Sequence, residues 1–159
     1  MSVLADYAKG DCDFDTWYSL PTLRKGAKGF PVKHFQELLR LAQPVIFARF
    51  LKNSGGADGS FGPATEQAVR YLQEKQGWDQ SGVVDSRLWG IFSAWVAPAA
   101  PTTTSITPHF TVAQAISKGN GQWIPLWVPL VAAVLEEVMT AAGASSAISV
   151  SRHNHIPTE

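Results

Sequence analysis

The side chains through which this 159-residue chain could hold a metal, attack a substrate or move a proton are four histidines, one cysteine and thirteen carboxylates. His153-x-His155 with His109 would supply three imidazoles, the donor set of a catalytic zinc site. No carboxylate stands beside the pair to orient the rings, and a terminal His-x-His reads as a solvated tail. Asp11, Asp13 and Asp15 alternate as in half a calcium loop, but the sixth-position glycine and the closing glutamate are missing. That stretch instead reads as an N-terminal arm whose Phe14, Trp17 and Tyr18 pack on the rest of the chain. Glu136 and Glu137 are consecutive on a helical pattern and diverge by about 100°, so they are not an acid and base on one face. Cys12 lies among acids, which disfavour its thiolate and hence nucleophilic use. No metal, cofactor or catalytic set is expected.

Bulk properties narrow the remaining classes. A chain of this length buries one core, or a small domain plus a fragment. Hydrophobic residues make up 45% and charged ones 16%, the balance of a folded protein. Net charge is zero, which gives nucleic acid no footing. Residues 20–95 hold ten Lys/Arg against six Asp/Glu, while residues 1–19 hold Lys9 against four aspartates. A single cysteine rules out an intramolecular disulfide. Residues 1–20 lack the basic-then-apolar pattern of a secretion signal. The apolar run 124–135 is too short to cross a bilayer and holds Pro125 and Pro129. Neither membrane nor nucleic acid is an expected partner, and oligomeric state is not legible.

The elements follow from turn residues and apolar spacing. Gly59 and Gly62 can take positive φ, Pro63 suits a first helical position, and Gly77 suits the residue after a helix end. Between them Ala68, Val69 and Leu72 form one apolar face, so a helix is expected over 63–76. Asp58 is expected to bond the amides of its own turn. Three turns of equal length, Gly26-x-x-Gly29, Gly59-x-x-Gly62 and Gly82-x-x-Asp85, each introduce a helix, and Val32-x-x-Phe35-Gln36 echoes Val69-x-x-Leu72-Gln73. Helices are thus expected over 31–42 and 86–95 as well, around a core of Val32, Phe35, Leu38, Leu39, Val69, Leu72, Leu88, Trp89 and Phe92, with Phe61 plugging it. Ile46, Phe47, Phe50 and Leu51 form a helical stripe after Pro44, an extra short helix.

The ordered run Asp58-Gly59-x-Phe61-Gly62-x-x-Thr65, Ala68-Val69-x-x-Leu72-Gln73 and Gly77-Trp78 resembles the small helical peptidoglycan-binding domain appended to many bacterial cell-wall enzymes. Leu23 to Gly29 and Val32 to Leu39 are similar to that family's opening turn and first helix. Ser81 to Asp85 and Leu88-Trp89 are similar to its closing turn and last helix, with Asp85 where the family often has glycine. The resemblance covers about 20–95 and implies a mainly α fold: a three-helix bundle with an extra short helix, followed by a small helix-strand appendix. It also implies peptidoglycan as partner and a place at the cell wall or periplasm. Such a ligand needs aromatic platforms beside amide and cationic hydrogen-bonders, for which the candidates are Arg24, Gln36, Arg70, Tyr71, Gln73 and Trp78. Asp58, Gly59, Phe61, Gly62 and Thr65 are the structural motif. Gln36 and Gln73 could alternatively tie helices to turns.

Four segments are expected: an arm over 1–19, the bundle over 20–96, a Pro/Thr linker over 97–107 and a C-terminal segment over 108–159. The last opens on His109-Phe110-Thr111, carries a helix from Pro129 stopped by Gly143, and reads as one strand over 147–151. That order resembles the start of the zinc D-alanyl-D-alanine carboxypeptidase family, whose metal ligands lie beyond the similar stretch. Non-catalytic wall binding is therefore the first expectation. A wall peptidase or phage endolysin with a truncated catalytic segment, and an intracellular protein-interaction adaptor, are the alternatives.

Overall fold

The computed structural model describes residues 3–8, 20–94, 104–118 and 125–143. The expected packing of Phe14, Trp17 and Tyr18, the strand over 147–151, Cys12, the three alternating aspartates, His153 and His155 all lie outside the described residues. Among those described, the chain is mainly helical with a small antiparallel hairpin. The elements are α1 (Val3–Ala8), α2 (Phe30–Ala42), α3 (Pro44–Phe50), α4 (Pro63–Gln76), α5 (Ser86–Gly90), β1 (Ser105–Thr107), β2 (Phe110–Thr111), α6 (Val112–Lys118) and α7 (Val128–Ala141).

Helix α2 starts with Pro31 in its first turn, and its leading amide, that of Phe30, donates to the Asp6 carboxylate of α1 at 3.0 Å. It stops because a residue before proline avoids the helical region: Gln43 turns to φ −133°, ψ 60°, and α3 restarts at Pro44. Helix α4 ends on Gly77 at φ 77°, where the Trp78 amide donates to the Gln73 carbonyl and the Gly77 amide to that of Glu74, closing the last turn. Gly59 is left-handed at φ 80°, but Gly62 is not: at φ −103° it is extended and leads into Pro63. The third helix is shorter than its sequence suggests. Asp85 caps it through the Leu88 amide at 3.0 Å, α5 closes at Gly90, and a 3-10 turn continues over Ile91–Ala94.

The opening turn is the seam of the bundle. Leu23 and Val84 exchange both backbone hydrogen bonds at 2.9 and 2.8 Å, Gly26 donates to Phe61, Phe61 donates to Ala27, and Gly29 donates to Gly59. These bonds satisfy main-chain groups that sheet or helix would otherwise take. Beneath them the expected core is buried throughout, from Val32 and Phe35 to Leu88, Trp89 and Phe92, with Phe61 at 2% exposure. The Phe35 ring meets Trp89 and Phe92 edge-on at 5.7 and 5.9 Å, the geometry ring quadrupoles favour.

Helices α1 and α7 both pack on α2. β1 lies within the stretch expected as linker; it pairs with β2, and the hairpin packs on α7, which also meets α1 and α2. The joint is His34, fully buried among Phe30, Trp89 and Trp127. Its Nε2 donates to the Leu126 carbonyl at 2.9 Å, leaving Nδ1 to accept from the Tyr7 hydroxyl. Desolvation lowers its pKa from 6.5 to about 4 against the opposing carbonyl bond, so the ring is neutral. Arg40 donates to the Ser105 carbonyl at 2.9 Å, and the Val3 amide donates to Glu137. No described helix is long and apolar enough to cross a membrane.

Candidate functional site

The fold disperses the six side chains whose types suit ligand contact. Gln36 and Gln73 are 1% and 4% exposed, and their amides are used internally. Gln36 Oε1 accepts the Gly59 amide at 2.8 Å, while Nε2 donates to the Ser60 carbonyl and Thr65 hydroxyl at 3.1 and 3.0 Å. Gln73 Oε1 accepts the Gly82 amide at 2.9 Å, while Nε2 donates to the Val83 carbonyl and Ser81 hydroxyl at 3.1 and 3.0 Å. Gln36 brackets the glycine turn beyond α3 and Gln73 the one directly after its own helix, which leaves neither an amide group to offer a ligand. Asp58 and Ser81 complete the brackets by accepting the amides of Ser60 and Val83 at 3.0 and 3.2 Å. The role of Thr65 in the motif is also explained: its hydroxyl is a buried acceptor for Gln36.

Arg70 is exposed on the opposite flank of α4 from α3. It pairs with Glu66 at 3.6 Å and donates to the Gln80 carbonyl, and Lys25 of the opening turn approaches the same glutamate at 4.0 Å. Arg24 is exposed on that turn. Trp78 is half-buried beneath the Arg87 guanidinium, 3.9 Å from its ring centroid. It lines a cleft of about 460 Å3 with Gly77, Asp79, Ser81, Asp85 and Arg87.

Tyr71 faces α3, where a second cleft of about 290 Å3 opens between α3 and α4. Ile46 and Leu72 form its apolar floor, and Gln43, Arg49, Lys75 and Gln76 its polar wall. The Arg49 guanidinium lies 4.9 Å from the Tyr71 ring centroid and 5.0 Å from that of Phe50, and the Lys75 ammonium lies 5.1 Å from Tyr71. Phe50 and Tyr71 themselves meet at 5.5 Å. No carboxylate lines this cleft, and among the described residues neither Arg49 nor Lys75 pairs with one. Ring quadrupoles hold such cations at a cost in mobility that need not be met again when an anion arrives. Arg49 and Lys75 escape sequence reasoning because the contact between them is made by packing α3 on α4. The only signal available was that positions 71 and 75 are one helical turn apart.

Three carboxylates on α2 and α7 have structural partners. Glu37, mostly buried, has its pKa raised by desolvation, opposed by Arg40 at 2.6 Å and by Lys33. Glu136 accepts from the ring and amide of His109 at 2.6 and 3.1 Å. Partial burial works to raise its pKa, but those bonds outweigh it and the net shift is downward. Glu137 turns instead to Val3, so the two glutamates diverge. Among the described residues no group of three or more His, Cys, Asp or Glu side chains is arranged to hold a metal ion.

Neither a curated protein nor a solved structure matches the chain. Residues 45–91 match the model of the family described as "Putative peptidoglycan binding domain". The match runs from the start of α3 through α4 to the end of α5, and apart from Gln43 the residues that line both clefts fall within it.

Proposed function

We propose that this chain binds bacterial peptidoglycan without cleaving it, through the helical unit of residues 20–96, at the cleft between α3 and α4. The observation that carries the reading is the cleft's lining: two cations set against Tyr71, amides from Gln43 and Gln76, an apolar floor and no acid. Cell-wall polymer offers the complement, carboxylates and amides on short peptides with small apolar side chains. The Trp78 cleft, with Arg70 and Arg24 further round the surface, is the second contact region. A shallow site on so small a unit gives modest affinity, on the order of micromolar to millimolar.

The test is sedimentation of the purified chain with insoluble wall sacculi. The chain is expected in the pellet, Tyr71→Ala is expected to shift it to the supernatant, and Trp78→Ala and Arg70→Ala are expected to weaken retention less. Each variant must keep the helical melting transition. Folded chain that stays in the supernatant across several wall chemotypes at low salt overturns the reading. Wall-peptide cleavage by the chain with added zinc, lost in His153→Ala and His155→Ala, overturns its non-catalytic part.

A further inference from the structure

We infer that what the α3–α4 cleft recognises is a peptide carboxylate of the wall's stem peptides and not the sugar chain. The inference rests on the wall-binding reading and sharpens it. A saccharide is recognised by an aromatic face left open for stacking, with hydroxyl partners at its edge. Here the aromatic is already engaged: Arg49 reaches over Tyr71 and Phe50, and Lys75 over Tyr71. Phe50 also leans against Tyr71, at 51° between ring planes. A ring so covered serves to hold cations in place.

Those cations are then the recognition groups. Arg49 is exposed at the end of α3 and Lys75 is exposed in the last turn of α4, and both line the same cavity. A guanidinium presents a fork to a carboxylate, and an ammonium adds a point charge that needs no fixed angle. With no acid in the wall, the cavity has nothing to repel an anion or to neutralise its own charge. Its volume also decides. At about 290 Å3 it falls just below the ~300–1,000 Å3 of small-ligand sites. That is room for the end of a peptide, and the Ile46–Leu72 floor suits a methyl-sized side chain beside the carboxylate.

The experiment is competition against retention of the full chain on sacculi, with three soluble probes. They are a stem pentapeptide with free carboxylates, the same peptide with its carboxylates amidated, and glycan strands freed of peptide by amidase. The free-carboxylate peptide is expected to displace the chain, and the other two to leave it bound. Arg49→Gln and Lys75→Gln, singly, are each expected to weaken retention of the chain on sacculi about tenfold. Lys52→Gln, which removes the same charge from an exposed position outside the cleft, is expected to change it less than twofold. Displacement by glycan strands, or equal displacement by the amidated peptide, overturns the inference while leaving wall binding intact. So does loss of retention on sacculi stripped of phosphate-rich polymers by hydrofluoric acid, which would make the anion a phosphodiester. Absence of retention on any sacculus overturns the wall-binding reading itself.

Discussion

Gln36 on α2 and Gln73 on α4 make the same three hydrogen bonds to successive glycine turns: the glycine amide into Oε1, and Nε2 out to the next residue's carbonyl and to a hydroxyl. The bundle is thus two copies of one helix-and-bracket unit, seamed by the opening turn. Leucine in place of either glutamine keeps much of the volume but strands a buried glycine amide. Gln36→Leu and Gln73→Leu are each expected to cost about 1–3 kcal/mol in urea unfolding, a similar loss at both sites.

Glycines separate into two kinds. At Gly55, φ is +97° and an added Cβ would fall 2.4 Å from Asp58 Oδ2, displacing the carboxylate that holds the Ser60 amide. At Gly77, φ is +77° but the space around it is open. Gly77→Ala is expected to cost about 1–2 kcal/mol from backbone conformation alone, and Gly55→Ala more, with thermal melts ranking the two.

Acid should loosen the joint at His34. Its folded pKa, about 4, lies below the ordinary 6.5, so the neutral ring's contribution is whole above pH 6.5 and is lost as pH falls toward 4. Over that window the loss amounts to roughly 3 kcal/mol. Glu37, with its carboxyl shifted upward, works in the opposite sense and gains as it protonates. The measurement is stability against pH for the parent chain and His34→Gln; the variant's curve should be flatter between 6.5 and 4.

Phe61→Ala removes a ring buried from the turn side and is expected to lower stability by about 3–5 kcal/mol. Tyr71→Ala, on a half-exposed ring at the cleft, should cost less stability and more retention on sacculi. Chemical denaturation and sedimentation run on the same two samples separate a core ring from a binding ring.

How much of this was legible in the chain differs by mechanism. α2 and α4 were readable almost to the residue because Pro, Gly and apolar spacing specify them locally, and Pro44 marked the restart at α3. The bundle core followed from the same spacing. Residue type alone, however, could not tell a buried amide bracket from an exposed ligand contact, and Gln36 and Gln73 satisfy both descriptions until the turns fold over them. The Arg49–Tyr71–Lys75 cluster depends on one helix meeting another. His34 sits in a run that reads as ordinary helix, and its partners Tyr7 and Leu126 come from opposite ends of the chain. Gly62 was misread because a glycine before proline can also cap a helix in extended form.

The packing of α1 and α7 onto α2 also changes what a break in the chain would do. A peptide bond cut between 95 and 103 would leave the later piece held by the Leu126 carbonyl on His34 and by Arg40 on Ser105, with Glu137 still tied to Val3. The two halves are thereby suited to reassemble as a split protein, and a protease nick there would be silent in native gels and visible only after denaturation.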